Sequence, residues 1–259
     1  MTLVEILALT AASAIAGVMN SVAGGGTLVT FPVLLLFGTP PVVANATSTL
    51  ALVLGMGGSI YGYRKHLAIV RPWLWRFVPV SMLGGLLGSV LLTHTKNEVF
   101  ARMVPFLLLF ASVLFFAQGA FRKFAGVENR ETCVPKHHAL WGAIAFQFAV
   151  AIYGGYFGAG IGILMLASLG LIGFSDIHQM NGLKTVLASL INIVAATWFV
   201  LSGLIHWPKA MIMTAGALAG YYAGAHFAQR IPQKAVRGII TGIGFGISAV
   251  MFYKEFFGK

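Results

Sequence analysis

Long apolar runs and short basic ones alternate along the chain. Apolar segments fall at about 3–22, 25–38, 43–63, 73–93 and 100–121, and again at about 139–157, 160–174, 178–203, 208–228 and 236–256. Between the two sets lies one polar stretch, RKFAGVENRETCVPKHH, Arg122 to His138. Runs of this length predict membrane-crossing helices. The expected fold is all-α: a polytopic membrane protein of eight to ten transmembrane segments, in two homologous halves (1–121 and 139–259) around the linker 122–138. Each half has one glycine-broken apolar stretch, GVMNSVAGGGTLVTFP from Gly17 and AIYGGYFGAGIGILML from Ala151. Each is followed by a helix-like segment with an Asn and a Thr four residues apart, Asn45/Thr49 and Asn181/Thr185. A duplicated, glycine-interrupted hydrophobic pair points to the binding site of a transporter.

The duplication has a register. A shift of 136 residues lays Asn45 on Asn181, Thr49 on Thr185, Pro72 on Pro208, Gly84 on Gly220 and Gly88 on Gly224. Identity elsewhere is near background, so the matches lie in residues that set backbone geometry. Thr39-Pro40 and Ser175 stand where the two Asn/Thr helices would begin and can serve as caps. Gly84, Gly85 and Gly88, with Gly220 and Gly224, form small-residue packing motifs. They seat helices against one another inside the fold or, as the second reading, form a homodimer interface.

Charge sets the topology. If all ten segments cross, Arg64, Lys65, Arg71, Arg76, Arg122, Lys123, Arg130, Lys136, Arg230, Lys234 and Arg237 share one side. Lys96, Arg102, Lys209, Lys254 and Lys259 take the other. The heavier side should be cytoplasmic, which puts the linker inside and both termini outside. Five crossings per half would make the halves inverted repeats. A competing count comes from segment 25–38. At about 1.5 Å per residue it reaches only ~21 Å, short of a hydrocarbon core of ~30 Å. If it enters and returns, each half crosses four times and the halves run parallel.

Composition narrows the class. The chain is 58% hydrophobic and 9% charged, against roughly 25% charged in soluble domains. Its start, MTLVEILALTAASAIAG, has no basic n-region and reads as a first membrane segment in the cytoplasmic (inner) membrane rather than a cleaved leader. A net charge of +11 would suggest nucleic acid in a soluble protein. Here the basic residues sit in loops that face anionic lipid headgroups, so nucleic acid is excluded as a partner and membrane lipid is not. The single Cys133 lies in the linker, and no metal-ligand spacing occurs, so neither a disulfide nor a metal or other cofactor is expected.

The candidate chemistry is anionic. Lys184 is the only Lys or Arg placed well inside a segment, away from its ends. Nine residues past Ser175 puts it ~13.5 Å along its helix, near the middle of the bilayer, where a lysine is costly. Asn181, Lys184, Thr185 and Asn192 share one stripe of that helix, and Asn45, Ser48 and Thr49 form the matching stripe of the first half. Gly24, Gly25 and Gly26, with Gly158 and Gly160, allow sharp breaks. The N–H groups that start the next helix would then face an anion. Asn20 and Tyr153 flank the breaks as further ligands. Glu5, Glu98, Glu128, Glu131, Asp176 and Glu255 all fall near ends or in loops. That leaves no buried carboxylate for a proton relay or a sodium ligand. The set suits an oxyanion.

At GGGTLVTFPVLLLFGTPPVVANATS and GAGIGILM with NGLKT, the chain resembles the sulfite exporter TauE/SafE family. The elements are Gly24–Gly26, the apolar Leu28–Phe37, Pro40-Pro41, Thr47-Ser48-Thr49, and in the second half Gly158–Met165 and Asn181–Thr185. The glycine run of three is shorter than in many members. The resemblance implies an anion permease for sulfite, sulfonates or related organosulfur compounds, and not an enzyme. The function expected is export of a small sulfur oxyanion or organosulfonate, bound near the midplane between the halves. Two alternatives stand beside it: a proton-coupled uptake permease for organosulfur or carboxylate anions, and a membrane enzyme or assembly factor. The second lacks any nucleophile–base pair or metal constellation.

Overall fold

A computed structural model describes residues 1–22, 24–124, 137–171, 177–227 and 233–256. These residues form ten helices and no strand. They are α1 (Leu3–Val22), α2 (Thr27–Leu36), α3 (Pro41–Val53), α4 (Met56–His94), α5 (Asn97–Phe124), α6 (His137–Tyr156), α7 (Ile161–Leu171), α8 (Ile177–Leu201), α9 (Trp207–Phe227) and α10 (Gln233–Phe256). Among the described residues, four stretches are long and apolar enough to cross a membrane by length and composition: Leu3–Ser21, Arg71–His94, Asn97–Ala117 and Gln179–Leu201. Exposed apolar side chains, among them Leu83, Leu87, Leu91, Phe106, Phe116 and Met211, give the helices a lipid-compatible exterior. Most of the linker (125–136) and Ser175 lie outside the described residues.

One boundary differs from the sequence expectation. Segments 43–63 and 73–93 were expected to flank a basic loop, but α3 stops at Val53 and α4 runs from Met56 through that loop to His94. Pro72 lies inside α4 rather than ending it, since a proline in a helix can bend it and forgo one hydrogen bond. The interruption falls earlier, at Leu54-Gly55. The ring of Tyr221 lies so close to Gly55 that any β-carbon there would overlap it.

Helix directions follow from named contacts. Along α1 and α9, Glu5 meets Lys209, Gly17 meets Ala217 and Gly224 meets Ser21. The two helices therefore run the same way. Ser81 meets Gln147 and Gly88 meets Ile152, so α4 and α6 run together as well. Three further pairs distinguish the two topologies. Thr47–His206 and Gly55–Tyr221 set α3 parallel to α9. Gly85–Ile191 and Thr93–Trp198 set α4 parallel to α8. Pro105–Ser248, Phe106–Phe252 and Ser112–Gly244 set α5 antiparallel to α10. These are the directions of ten alternating segments. Four crossings per half would reverse all three.

The packing also exchanges partners under the 136-residue shift. Gly55 faces Tyr221, and Gly85 faces Ile191. Positions 55 and 191 correspond, as do 85 and 221, so the same contact occurs twice with the large and small side chains swapped. Gly84 and Gly220 likewise occupy corresponding contacts, on Ala151 of α6 and on the Ala14 carbonyl of α1. Small residues here let backbones approach closely, as helix association inside lipid requires.

Candidate functional site

Both glycine breaks form as sharp reversals. Gly24 and Gly25 have φ of 86° and 88°, and Gly158 and Gly160 both have 81°, a region that side chains disfavour and glycine allows. The Gly24 N–H bonds the Met19 carbonyl at 2.9 Å, and the Gly158 N–H bonds that of Tyr153 at 3.1 Å. Each closes the preceding helix five residues back. Tyr153 then holds the second break, its hydroxyl donating to the Ala159 carbonyl at 2.7 Å.

The breaks lie at one depth. A β-carbon at Gly25 would press on the Phe115 ring, and one at Gly160 would touch Leu114 and Ala111. Both breaks therefore abut a single turn of α5. From that level α2 rises toward the end of the molecule that holds Glu5 and Lys209, and α7 descends the opposite way. Their 10 and 11 residues make each about 15–17 Å long, half a hydrocarbon core. Two helix N-termini thus converge beside that turn of α5. Each helix N-terminus carries roughly half a positive charge.

The polar stripes meet these breaks. Asn45, buried in α3, donates from Nδ2 to the carbonyl of Tyr156, the last residue of α6, at 3.0 Å. Ser48 shares a 2.6 Å hydrogen bond with Thr30 of α2, and Thr49 caps the Asn45 carbonyl at 2.9 Å. On α8, Lys184 donates to Asn181 Oδ1 at 3.1 Å, and its methylene stem lies against Gly162 at the start of α7. Thr185 is half-buried beside it. Asn192 donates to the Ala188 carbonyl at 2.8 Å, and its Oδ1 lies 3.9 Å from a β-carbon position at Gly158. Asn45, Lys184, Asn192 and Tyr153 therefore gather on the second break.

The first break is filled differently. Asn20 Oδ1 accepts the Gly26 N–H at 2.7 Å, and Asn20 Nδ2 donates to the Tyr221 hydroxyl at 2.9 Å. With Phe115 on Gly25, protein groups occupy the ground that the sequence reading offered to an anion. Asn20 acts here as a helix cap. At the position of Lys184 the first half has Ser48, which is fully buried and turned to α2. The lysine marks one break and not the other.

Two groups were missed in the sequence. Lys209 was placed with the loop residues, yet it is 5% exposed. It donates to Glu5 Oε1 at 2.7 Å, Thr39 Oγ1 at 2.9 Å and the Phe37 carbonyl at 3.1 Å. All three ammonium hydrogens thereby find acceptors. Glu5 is also buried, which corrects the expectation that no carboxylate is. Thr39 serves Lys209 rather than capping α3, whose N-cap is Pro40 with no side-chain hydrogen bond. The signal was available: two opposite charges, each within the first turn of an apolar helix, on the same expected side of the membrane. Removing one partner of this pair leaves the other charge without its counter-ion. Lys209→Met should accordingly lower the thermal midpoint of the purified protein by several degrees. Glu5→Gln with Lys209→Met should recover much of that loss.

The second buried feature is aromatic. Phe31, Phe100 and Phe157 pack edge to face, with Phe31 and Phe157 at 5.5 Å, and Tyr156 stands 5.6 Å from Phe100. Their apolar runs were legible, but which rings would meet was not. No metal-holding group of His, Cys, Asp or Glu occurs among the described residues.

Ten helices and no strand among the described residues, four of the helices apolar and long enough to cross a membrane, define a polytopic helical membrane protein. The sulfite exporter TauE/SafE pattern matches residues 9–251, and the chain belongs to that family. It is similar to a "Probable membrane transporter protein" of Haemophilus influenzae, 30% identical over 243 residues, covering 93% of this chain and 92% of that one. It is also similar to "Probable membrane transporter protein ORF9" of Sinorhizobium sp, 26% identical over 238 residues, with 92% and 88% covered. A third relative, "Probable membrane transporter protein YfcA" of Escherichia coli, is 26% identical over 241 residues, with 92% and 86% covered. No solved structure matches the chain significantly. Family and relatives make it a membrane transporter rather than an enzyme.

Proposed function

We propose that this transporter is a secondary carrier that exports a small sulfur oxyanion or organosulfonate across the cytoplasmic membrane. The anion binds at the second glycine break, against the N-terminus of α7, with Lys184 as counter-charge and Asn181, Thr185 and Asn192 around it. The observation that carries this reading is the α7 N-terminus at the second glycine break, with the Lys184 stem lying on Gly162. Helix N-termini and an ammonium both favour an anion and repel a cation. The halves 1–121 and 139–259 are inverted repeats in this reading, supported by the alternating directions and the exchanged contacts. The linker 122–138 lies in the cytoplasm and both termini lie outside, on the charge argument. Alternating access then arises from one half rocking against the other around the fixed site.

Proton-coupled uptake is the second reading. It is favoured by one observation, the buried Glu5. The test of the proposal uses proteoliposomes loaded with sulfite or an alkylsulfonate. Efflux should saturate, and external unlabelled anion should drive counterflow of the labelled one. Flux no faster than in protein-free vesicles, for every anion tried, overturns the proposal. Linear flux without counterflow makes the protein a channel.

A further inference from the structure

We infer that the transported anion carries a hydrogen-bond donor of its own, an O–H or N–H beside its anionic group, and that Asn45 reads it. This rests on the anion site proposed above. Asn45 is 1% exposed, and its side chain stands at the second break through the bond from Nδ2 to the Tyr156 carbonyl at 3.0 Å. That bond fixes the amide. The opposite assignment would place two carbonyl oxygens at the same separation, so Oδ1 is the atom left over. Oδ1 is buried and has no hydrogen-bond partner among the described residues. A buried acceptor without a donor is destabilising, and native folds retain few of them.

The neighbourhood decides what can satisfy it. A cation bound at the second break would meet the α7 N-terminus and Lys184, both positive. A neutral donor suffers no such repulsion. An anion offering only oxygen acceptors, such as sulfate or a plain alkylsulfonate, would leave Oδ1 unsatisfied or face it oxygen to oxygen. Hydrogensulfite, or a sulfonate bearing a hydroxyl or amino group, would satisfy it. Sites that hydrogen-bond a substrate hydroxyl reject the analogue lacking it, because their own buried polar group is then unpaired. Asn45 is thus a specificity-determining residue, while Lys184 supplies charge recognition common to all the anions.

The test is a pair of substrates that differ by one hydroxyl, 2-hydroxyethanesulfonate and ethanesulfonate, in proteoliposomes of the full chain. The wild type should handle the hydroxylated anion with kcat/KM about tenfold higher, the yield of one neutral hydrogen bond of ~1.4 kcal/mol. In Asn45→Ala the ratio should fall toward one, chiefly through KM for the hydroxylated anion. The wild-type elution profile serves as the check on folding. Asn45→Ser, which keeps a smaller acceptor, should restore part of the preference if the first variant is unstable. Equal handling of both anions by the wild type, or a preference that survives in both variants, overturns the inference. In that case Oδ1 holds a water, and Lys184-dependent flux leaves the proposed function standing. Failure to move either sulfonate overturns the inference together with the sulfonate reading.

Discussion

Lys184→Met should abolish anion flux while leaving expression, membrane insertion and the elution profile unchanged. The wild-type ammonium donates to Asn181 Oδ1 at 3.1 Å, and its stem rests on Gly162 where α7 begins. Methionine replaces the stem with similar volume and removes the charge and its hydrogen bond to Asn181. Losing the charged partner of a hydrogen bond costs about 1.5–3 kcal/mol. At ~1.4 kcal/mol per tenfold, flux at a fixed substrate concentration should drop by at least about tenfold. Lys184→Arg keeps the charge but adds bulk against Gly162, so it should retain partial flux with raised KM. Ser48→Lys, at the corresponding position of the first half, should not rescue Lys184→Met. There Asn20 and Phe115 already fill the break. Wild-type flux in Lys184→Met would remove the lysine from the site.

Much of this arrangement was legible in the sequence because it depends on residue types with few alternatives. Ten apolar runs gave ten helices, and glycine at the breaks followed from backbone that no side chain tolerates. Lys184 stood out because no other segment carried a charge at its middle. What could not be read depends on pairing across the fold. Asn20 and Asn45 are both asparagines near a break, yet one caps Gly26 in its own half and the other reaches Tyr156 in the other half. Only the packing of α3 on the end of α6 separates these roles. The Glu5–Lys209 pair joins residues two hundred positions apart, and the parallel run of α1 and α9 brings them together. The helical stretch through the basic residues before Pro72 was hidden for another reason: charge argues for exposure, not for the absence of helix.

Efflux should accelerate when the vesicle interior is made negative with valinomycin, with no pH gradient present. In the proposed cycle a carrier loaded with a monoanion holds one negative charge more than the empty carrier. The loaded form moves outward and the empty form returns. One negative charge leaves per turn, so an inside-negative potential favours efflux. About 2.3 kcal/mol is available per charge per 100 mV. At ~1.4 kcal/mol per tenfold ratio, 100 mV sustains roughly a 40-fold outward gradient. Glu5 is the carboxylate that could couple a proton instead, and its surroundings argue against that. Protonating it would strand the ammonium of Lys209, which holds it at 2.7 Å within a nearly closed set of acceptors. Glu5→Gln should therefore lower stability more than it alters the voltage dependence of efflux. The discriminating measurement imposes voltage and a proton gradient separately on the same vesicles. Efflux that ignores voltage, follows the proton gradient and loses that response in Glu5→Gln would make Glu5 a proton carrier and the protein an uptake permease.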